Sequence, residues 1–184
     1  MKLPHELEAH RADLLDALSA PELAAWPEGE SYVKACGPHS IAKVLTSALH
    51  EDIRGALIAV LYRENMGSAD RVKLGLATKA GAKLRFFAPV DFVIEINWTA
   101  WKTLSPEQKI ALVDHELSHC GFDVDKEAFT LVHHDVEEFG SIVRRWGLWK
   151  PDLAKFQLAM AARQIDLFGE PEPAEEGQEV GSPS

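Results

Sequence analysis

Apolar and polar positions along the middle of the chain predict a small sheet. The continuous apolar run Ala56–Tyr62 is typical of a central strand, and Val72–Leu76 alternates as a half-buried strand does. Phe92–Trp98 is a third predicted strand. Between the last two, Lys79–Phe87 fits either a short helix or another strand. The pattern therefore predicts a sheet of three to four strands.

Helical periodicity dominates the two ends of the chain. Apolar residues at steps of three and four predict helices over residues 39–50, 136–146 and 151–169. Residues 4–35 are expected to form a helical N-terminal extension, and residues 121–133 a loop. Strands in the middle and helices at both ends indicate an α+β fold class.

One further helix has clear boundaries. Ser105 is suited to its N-cap, Pro106 to the first helical position and Gln108 to the closing position of a capping box. Gly121 suits the C-terminal stop, so the sequence predicts a helix over Pro106–Cys120. Its apolar face consists of Ile110, Val113, Leu117 and Cys120.

That helix carries the sequence His-Glu-Leu-Ser-His at residues 115–119. His115 and His119 are four residues apart and project from one helix face, so both imidazoles can bind a single metal ion. Nitrogen ligands suit Zn²⁺, and Glu116 is placed to act as a catalytic base toward water. The motif predicts a zinc-dependent peptidase with a peptide or protein substrate.

A catalytic zinc site needs a third protein ligand. The segment that follows His119 is long enough to fold back on the motif helix, and it ends in a group of possible ligands. Those candidates are His133, His134, Asp135, Glu137 and Glu138.

The motif and its surroundings resemble the SprT-like zinc metallopeptidases. Those proteins carry H-E-x-x-H and, after a comparable gap, a third histidine that leads into a helix; here that histidine is His134. Two features differ, because Asp135 stands where the SprT-like proteins have Gly, and no Cys-rich zinc ribbon follows. The DNA-linked role of that wider family is therefore not carried over.

A closer resemblance is to the phage metallopeptidase family, over about residues 40–150. It implies a minigluzincin-like zincin whose small sheet packs on the motif helix, phage or prophage origin, and hydrolysis of peptide bonds at a zinc site formed by His115, His119 and His134. The segments that carry the resemblance are Ala111–His119, His134–Phe139, Ile58–Arg63, Phe92–Ile96 and Arg144–Trp149.

The rival third ligand is Glu138, 19 residues after His119, because a helix-borne Glu at about that distance is typical of gluzincins. In many such proteins an Asp four residues after the Glu supports a motif histidine, and here that position is Ile142. This difference favours His134 over Glu138.

Charge and composition narrow the function classes. The chain has 29 acidic and 19 basic residues; the tail from Gly169 to Ser184 has five acids and no Lys or Arg, which leaves 24 against 19, or −5, for the rest. An acidic body argues against nucleic-acid binding, and the pair Arg144-Arg145 is expected to be a solvated patch. No apolar run is long enough to cross a membrane.

The N-terminus turns polar at once, without an apolar signal core, so a cytoplasmic location is expected. Three regions are predicted: a helical extension over residues 1–37, a zincin-like peptidase domain over 38–168 and a disordered acidic tail over 169–184. Cys120 falls on the buried helix face and is expected to behave as a small apolar residue.

As a peptidase, the protein would bind substrate as an added strand on residues 92–98. The possible oxyanion-stabilising residues are Tyr62, His133, Arg144 and Arg145. The alternative function is a non-catalytic, zinc-stabilised structural or interaction module of a phage. The retained Glu116 counts against that alternative, because a structural site needs no base.

Overall fold

The computed structural model describes residues 1–68, 71–134 and 140–150, with only the backbone of Arg71. The chain divides into two compact units, Met1–Trp149 and Lys150–Ser184. The predicted helix over 151–169 and the predicted tail over 169–184 lie outside the described residues.

Six helices and eight short strands make up the described part of the first unit, together with 3-10 turns at His5–His10 and Glu51–Ile53. The helices are α1 Arg11–Leu18, α2 Cys36–Leu49, α3 Ala82–Phe87, α4 Trp98–Trp101, α5 Pro106–Ser118 and α6 Gly140–Trp146. The strands are β1 Val33–Lys34, β2 Ile58–Arg63, β3 Gly67–Ser68, β4 Arg71–Val72, β5 Gly75–Lys79, β6 Phe92–Asn97, β7 Cys120–Asp123 and β8 Ala128–Leu131.

The central feature is a four-stranded mixed sheet in the order β1-β2-β6-β5. Strands β2 and β6 run parallel, with Ile58 opposite Phe92, whereas β1 and β5 pair antiparallel to their neighbours. A parallel pair needs a crossover connection, and here β5 and α3 lie within it along the chain. The outer strands of this sheet are therefore β1 and β5.

The core lies between one face of this sheet and the helices. Ile94 and Ile96 of β6 are fully buried, as are Leu45 of α2 and Ile110 of α5. Strand positions two apart point to the same face, which explains why these apolar residues alternate with half-buried ones such as Val93. The N-terminal extension contributes to the same core, through side chains that include Leu7 and Leu14. Its predicted boundary after residue 37 stays a prediction.

The α+β fold class and most of the predicted strands are confirmed. The run predicted at 56–62 forms β2, which is central because it pairs with both β1 and β6. The undecided segment 79–87 contains the helix α3. The predicted strand 72–76 is wrong in its bounds, because the chain forms β4 and then a separate strand that begins at Gly75.

The predicted loop over residues 121–133 is wrong: it contains an antiparallel hairpin of β7 and β8. The turn between the two strands places Glu127 at a φ of 47°, and Lys126 N–H donates to the Asp123 carboxylate at 3.1 Å. Phe122 lies opposite Phe129, and their ring centroids are 5.5 Å apart. This pair packs across two strands, so the spacing of apolar residues along either strand does not reveal it.

No helix in the described ranges is long and apolar enough to cross a membrane.

Candidate metal centre

Helix α5 begins as the sequence predicts. Ser105 Oγ accepts from the Gln108 backbone N–H at 3.2 Å, and the Gln108 side chain accepts from the Ser105 N–H at 3.0 Å, which completes the capping box. The helix ends earlier than predicted, since Ser118 is its last residue and Cys120 already belongs to β7. The two motif histidines thus lie in the last turn and at the cap of a helix whose start is firmly held.

Three histidine side chains meet at this end of α5. One nitrogen from each of His115, His119 and His134 lies within 4.8 Å of the others, and the Nε2 atoms of His115 and His134 are 3.3 Å apart. His115 is buried, His119 is half-buried and His134 is exposed. The group can therefore hold a metal ion at a position that is open on one side.

The hairpin orients His119. Its Nδ1 lies 2.8 Å from the Val132 carbonyl oxygen, and the Val132 N–H donates to the His119 carbonyl at 2.8 Å. A carbonyl oxygen only accepts, so Nδ1 carries the proton and donates, which leaves the Nε2 lone pair for a metal. Strand β8 of this hairpin ends at Leu131, and His134 follows it three residues later.

The donor set fits zinc. Zinc binds imidazole nitrogen at about 2.0–2.1 Å, so two ligands of a tetrahedral site lie about 3.3 Å apart. The 3.3 Å between the Nε2 atoms of His115 and His134 agrees with that separation. All remaining separations in the group are within 4.8 Å, so His119 needs a shift of at most about 1.5 Å to reach the same geometry.

Glu116 is buried beside the outer strand β5. A Cβ placed on Gly75 would lie 2.7 Å from Cδ and 2.9 Å from Cγ of Glu116, closer than real Cβ contacts. Only a glycine therefore allows the strand backbone to pass this close to the carboxylate. A glycine within an alternating strand pattern indicates that some group approaches the backbone closely, but the sequence does not say which group, so Gly75 could not be linked to Glu116.

A second carboxylate lies directly before the motif and is completely buried. Asp114 accepts hydrogen bonds from Arg145 Nε and Nη2, both at 3.0 Å, and from Trp146 Nε1 at 2.7 Å. Nε2 of His50 lies 2.8 Å from its Oδ1. This buried cluster, hereafter the Asp114 network, joins the end of α2, the motif helix and α6.

Two opposing effects act on the pKa of Asp114. Burial raises the pKa, but the hydrogen bond from His50 and the positive charge of Arg145 outweigh it and hold the pKa below its usual value. The carboxylate is therefore charged and is matched by bidentate hydrogen bonds from a guanidinium group. The interpretation of Arg144-Arg145 as a solvated patch is wrong for Arg145, whose side chain is 15% exposed.

The other residues proposed from sequence have different positions. Tyr62 is buried in the core with its ring centroid 6.2 Å from that of Trp101, and burial raises its pKa. Arg145 is held by Asp114, whereas His133 and Arg144 are exposed. Cys120 is buried as predicted, and burial raises the pKa of its thiol to about 12. Asp135, Glu137 and the rival ligand Glu138 lie outside the described residues.

Comparison with known proteins adds one match. Residues 30–157 match the model of a protein family described as Putative phage metallopeptidase. Searches of curated proteins and of solved structures gave no significant match. The family match covers more than half of the 184 residues and includes the whole histidine group. The chain therefore belongs to the Putative phage metallopeptidase family.

Proposed function

We propose that this protein is a zinc-dependent peptidase of phage or prophage origin. In this proposal His115, His119 and His134 are the zinc ligands and Glu116 is the catalytic base. The observation that carries it is the convergence of three imidazole nitrogens within 4.8 Å, next to a buried glutamate, in a chain of a metallopeptidase family.

Bound zinc would supply a Lewis acid that polarises the scissile carbonyl and makes water a better nucleophile at neutral pH. Glu116 then takes one proton from the attacking water and returns it to the leaving nitrogen as the C–N bond breaks. Water is thereby divided between the new carboxyl and amino ends. The absence of a side chain at Gly75 leaves the space beside β5 that the Glu116 carboxylate occupies.

The fold supports a minigluzincin-like zincin in which the substrate binds at a different strand from the one expected from the sequence. Strand β6 pairs with β2 on one side and β5 on the other, so the expectation that residues 92–98 bind substrate as an added strand is wrong. The outer strand β5 pairs antiparallel with β6 and passes Glu116. We propose that substrate adds to β5 instead. A peptidase domain over residues 38–168 remains part of the proposal.

Zinc content and peptide cleavage test the proposed function. Protein purified without chelator is expected to hold about one zinc per chain, as a three-ligand site implies. Zinc-loaded protein should cleave members of a random peptide library, and chelated protein should not. Zinc without cleavage would favour the alternative, a zinc-stabilised structural module; no zinc at all would overturn both.

His134→Ala is expected to weaken zinc binding by one or more orders of magnitude, since it removes one of three ligands. Competition with a chromophoric chelator measures the affinity. His133→Ala is the matched control, because it removes the neighbouring exposed imidazole. Equal affinity of the two variants would exclude His134 as a ligand and direct attention to Glu138.

Gly75→Ala is expected to lower kcat/KM by about tenfold or more while zinc affinity stays unchanged. The added methyl must displace the Glu116 carboxylate, and a misplacement of about 1 Å can cost two orders of magnitude in rate. Gly55→Ala is the matched control, because no atom lies within 4 Å of a Cβ at that position. Wild-type activity of the Gly75 variant would show that the carboxylate tolerates this displacement.

A further inference from the structure

One segment carries a charge opposite to that of the whole chain. Residues 71–90, hereafter the basic strip, contain five basic residues and no Asp or Glu, whereas the chain has a net charge of −10. The strip contains β5 and α3. Its basic residues are Arg71, Lys73, Lys79, Lys83 and Arg85.

The lysines of the strip are available to a ligand. Lys73, Lys79 and Lys83 are exposed, and within the described part of the chain none of them forms an ion pair. Arg85 makes one long contact, with 3.9 Å between its Nη1 and the Oδ1 of Asp91. The positive charge is thus largely uncompensated by neighbouring side chains.

The strip passes the candidate metal centre. Gly75 touches Glu116; Lys73 lies two residues before it and Lys79 four residues after it. At about 3.3 Å per residue, these lysines lie within about 7 and 13 Å of Gly75. Strand β5 is the outer strand of its sheet, and among the described residues no strand pairs with its second edge. A peptide extended along that edge would meet a lysine on each side of Glu116.

We propose that the basic strip selects the substrate, so that the enzyme prefers peptide segments with Asp or Glu on both sides of the scissile bond. The inference rests on the proposed peptidase function. Charges of opposite sign at an exposed surface steer encounter and set register more than they add affinity. The lysines of the strip therefore determine which peptide segment is cut. The rest of the protein surface is acidic and repels acidic segments.

Nucleic acid is the competing ligand for a basic surface. Phe86 and Phe87 are 84% and 83% exposed at the end of the strip, and exposed aromatic rings among cations are also found where single strands bind. A peptide is favoured because β5 offers a row of backbone N–H and C=O groups at peptide spacing. The strand also leads directly to a buried carboxylate at Gly75.

The test is a random peptide library digested by the zinc-loaded protein, followed by sequencing of the new termini. Asp and Glu are expected to be enriched on both sides of the cut. The double variant Lys73→Glu/Lys79→Glu should lower kcat/KM on an acidic peptide by roughly three- to tenfold and raise it on the matched lysine peptide. Salt near 1 M should remove most of the preference, because the Debye length falls to about 3 Å.

Lys34→Glu is the matched control. Lys34 is an exposed lysine on β1, the opposite outer strand of the same sheet. Its reversal lowers the net charge without touching the strip, by half as much as the double variant does. Its cleavage preference should equal that of the wild type. Library cleavage without an acidic preference, or a preference that survives reversal of both strip lysines, would overturn the inference and leave the peptidase function intact.

Binding to zinc-loaded Glu116→Gln separates the two proposals if no library peptide is cleaved. Fluorescence anisotropy then compares an acidic peptide, its neutral analogue and a single-stranded DNA. Tighter binding of the acidic peptide, lost in the strip variant and kept in Lys34→Glu, supports the strip as a peptide site. Equal binding of both peptides, or tighter binding of DNA, overturns it.

Discussion

Glu116→Gln is expected to lower kcat by about two to four orders of magnitude while zinc content stays near one per chain. The amide has nearly the same shape but cannot take a proton from water or return it to the leaving nitrogen. At 1.36 kcal/mol for each tenfold, the loss corresponds to about 3–5 kcal/mol of transition-state stabilisation. On one preparation, zinc analysis measures the metal content, thermal melting measures the stability, and cleavage of one library-derived peptide measures kcat.

The outcome distinguishes a base from a ligand. A large fall in zinc affinity would mean that Glu116 belongs to the metal site, and cleavage at the wild-type rate would remove it from the mechanism. Ser105→Ala is a useful control on the same helix, because it removes the N-cap hydrogen bond at the helix end opposite the histidines. It should reduce stability by about 1 kcal/mol and leave cleavage by the folded protein unchanged.

Asp114→Asn is expected to lower the free energy of unfolding by about 3–5 kcal/mol, the largest stability effect that we expect of one substitution. The amide cannot match the charge of Arg145, whose guanidinium is mostly buried against the Asp114 carboxylate. Urea unfolding of chelated protein measures the change without the contribution of bound metal. The variant should also bind zinc about tenfold more weakly, because the network holds α6, a helix that follows His134 in the chain.

Glu22→Gln is a close structural control. Its carboxylate also accepts from a tryptophan, Trp101 Nε1 at 3.0 Å, and from a cation, Lys109 Nζ at 2.6 Å, but its side chain is 38% exposed. An exposed pair contributes little, so the expected loss is about 1 kcal/mol or less, with zinc affinity unchanged. Similar losses in the two variants would mean that the Asp114 network is no more important than a surface ion pair.

Trp146→Phe tests the network when Asp114→Asn does not fold. It removes a single hydrogen bond, 2.7 Å long, and keeps the carboxylate and its bidentate partner. A loss of about 1 kcal/mol is expected, together with a smaller fall in zinc affinity. A stable variant with wild-type affinity for zinc would show that this hydrogen bond from α6 does not affect the metal centre.

Local sequence determined the elements with strong short-range patterns. The capping box at Ser105 and the spacing of His115 and His119 both depend on contacts within one helix, so residues three or four apart suffice to predict them. The strands β2 and β6 were predictable for a similar reason. Each holds apolar residues at the alternate positions that face the core, and this pattern is contained within six residues.

Only the tertiary structure decided which distant residues meet the motif helix. Asp114 meets Arg145 and His50, 31 and 64 residues away, and the sequence around each contains no local pattern that encodes the pairing. The approach of Gly75 to Glu116 likewise depends on the place of β5 at the edge of the sheet, which strand order decides. Chain periodicity reports which face of an element is buried; it does not report what that face is buried against.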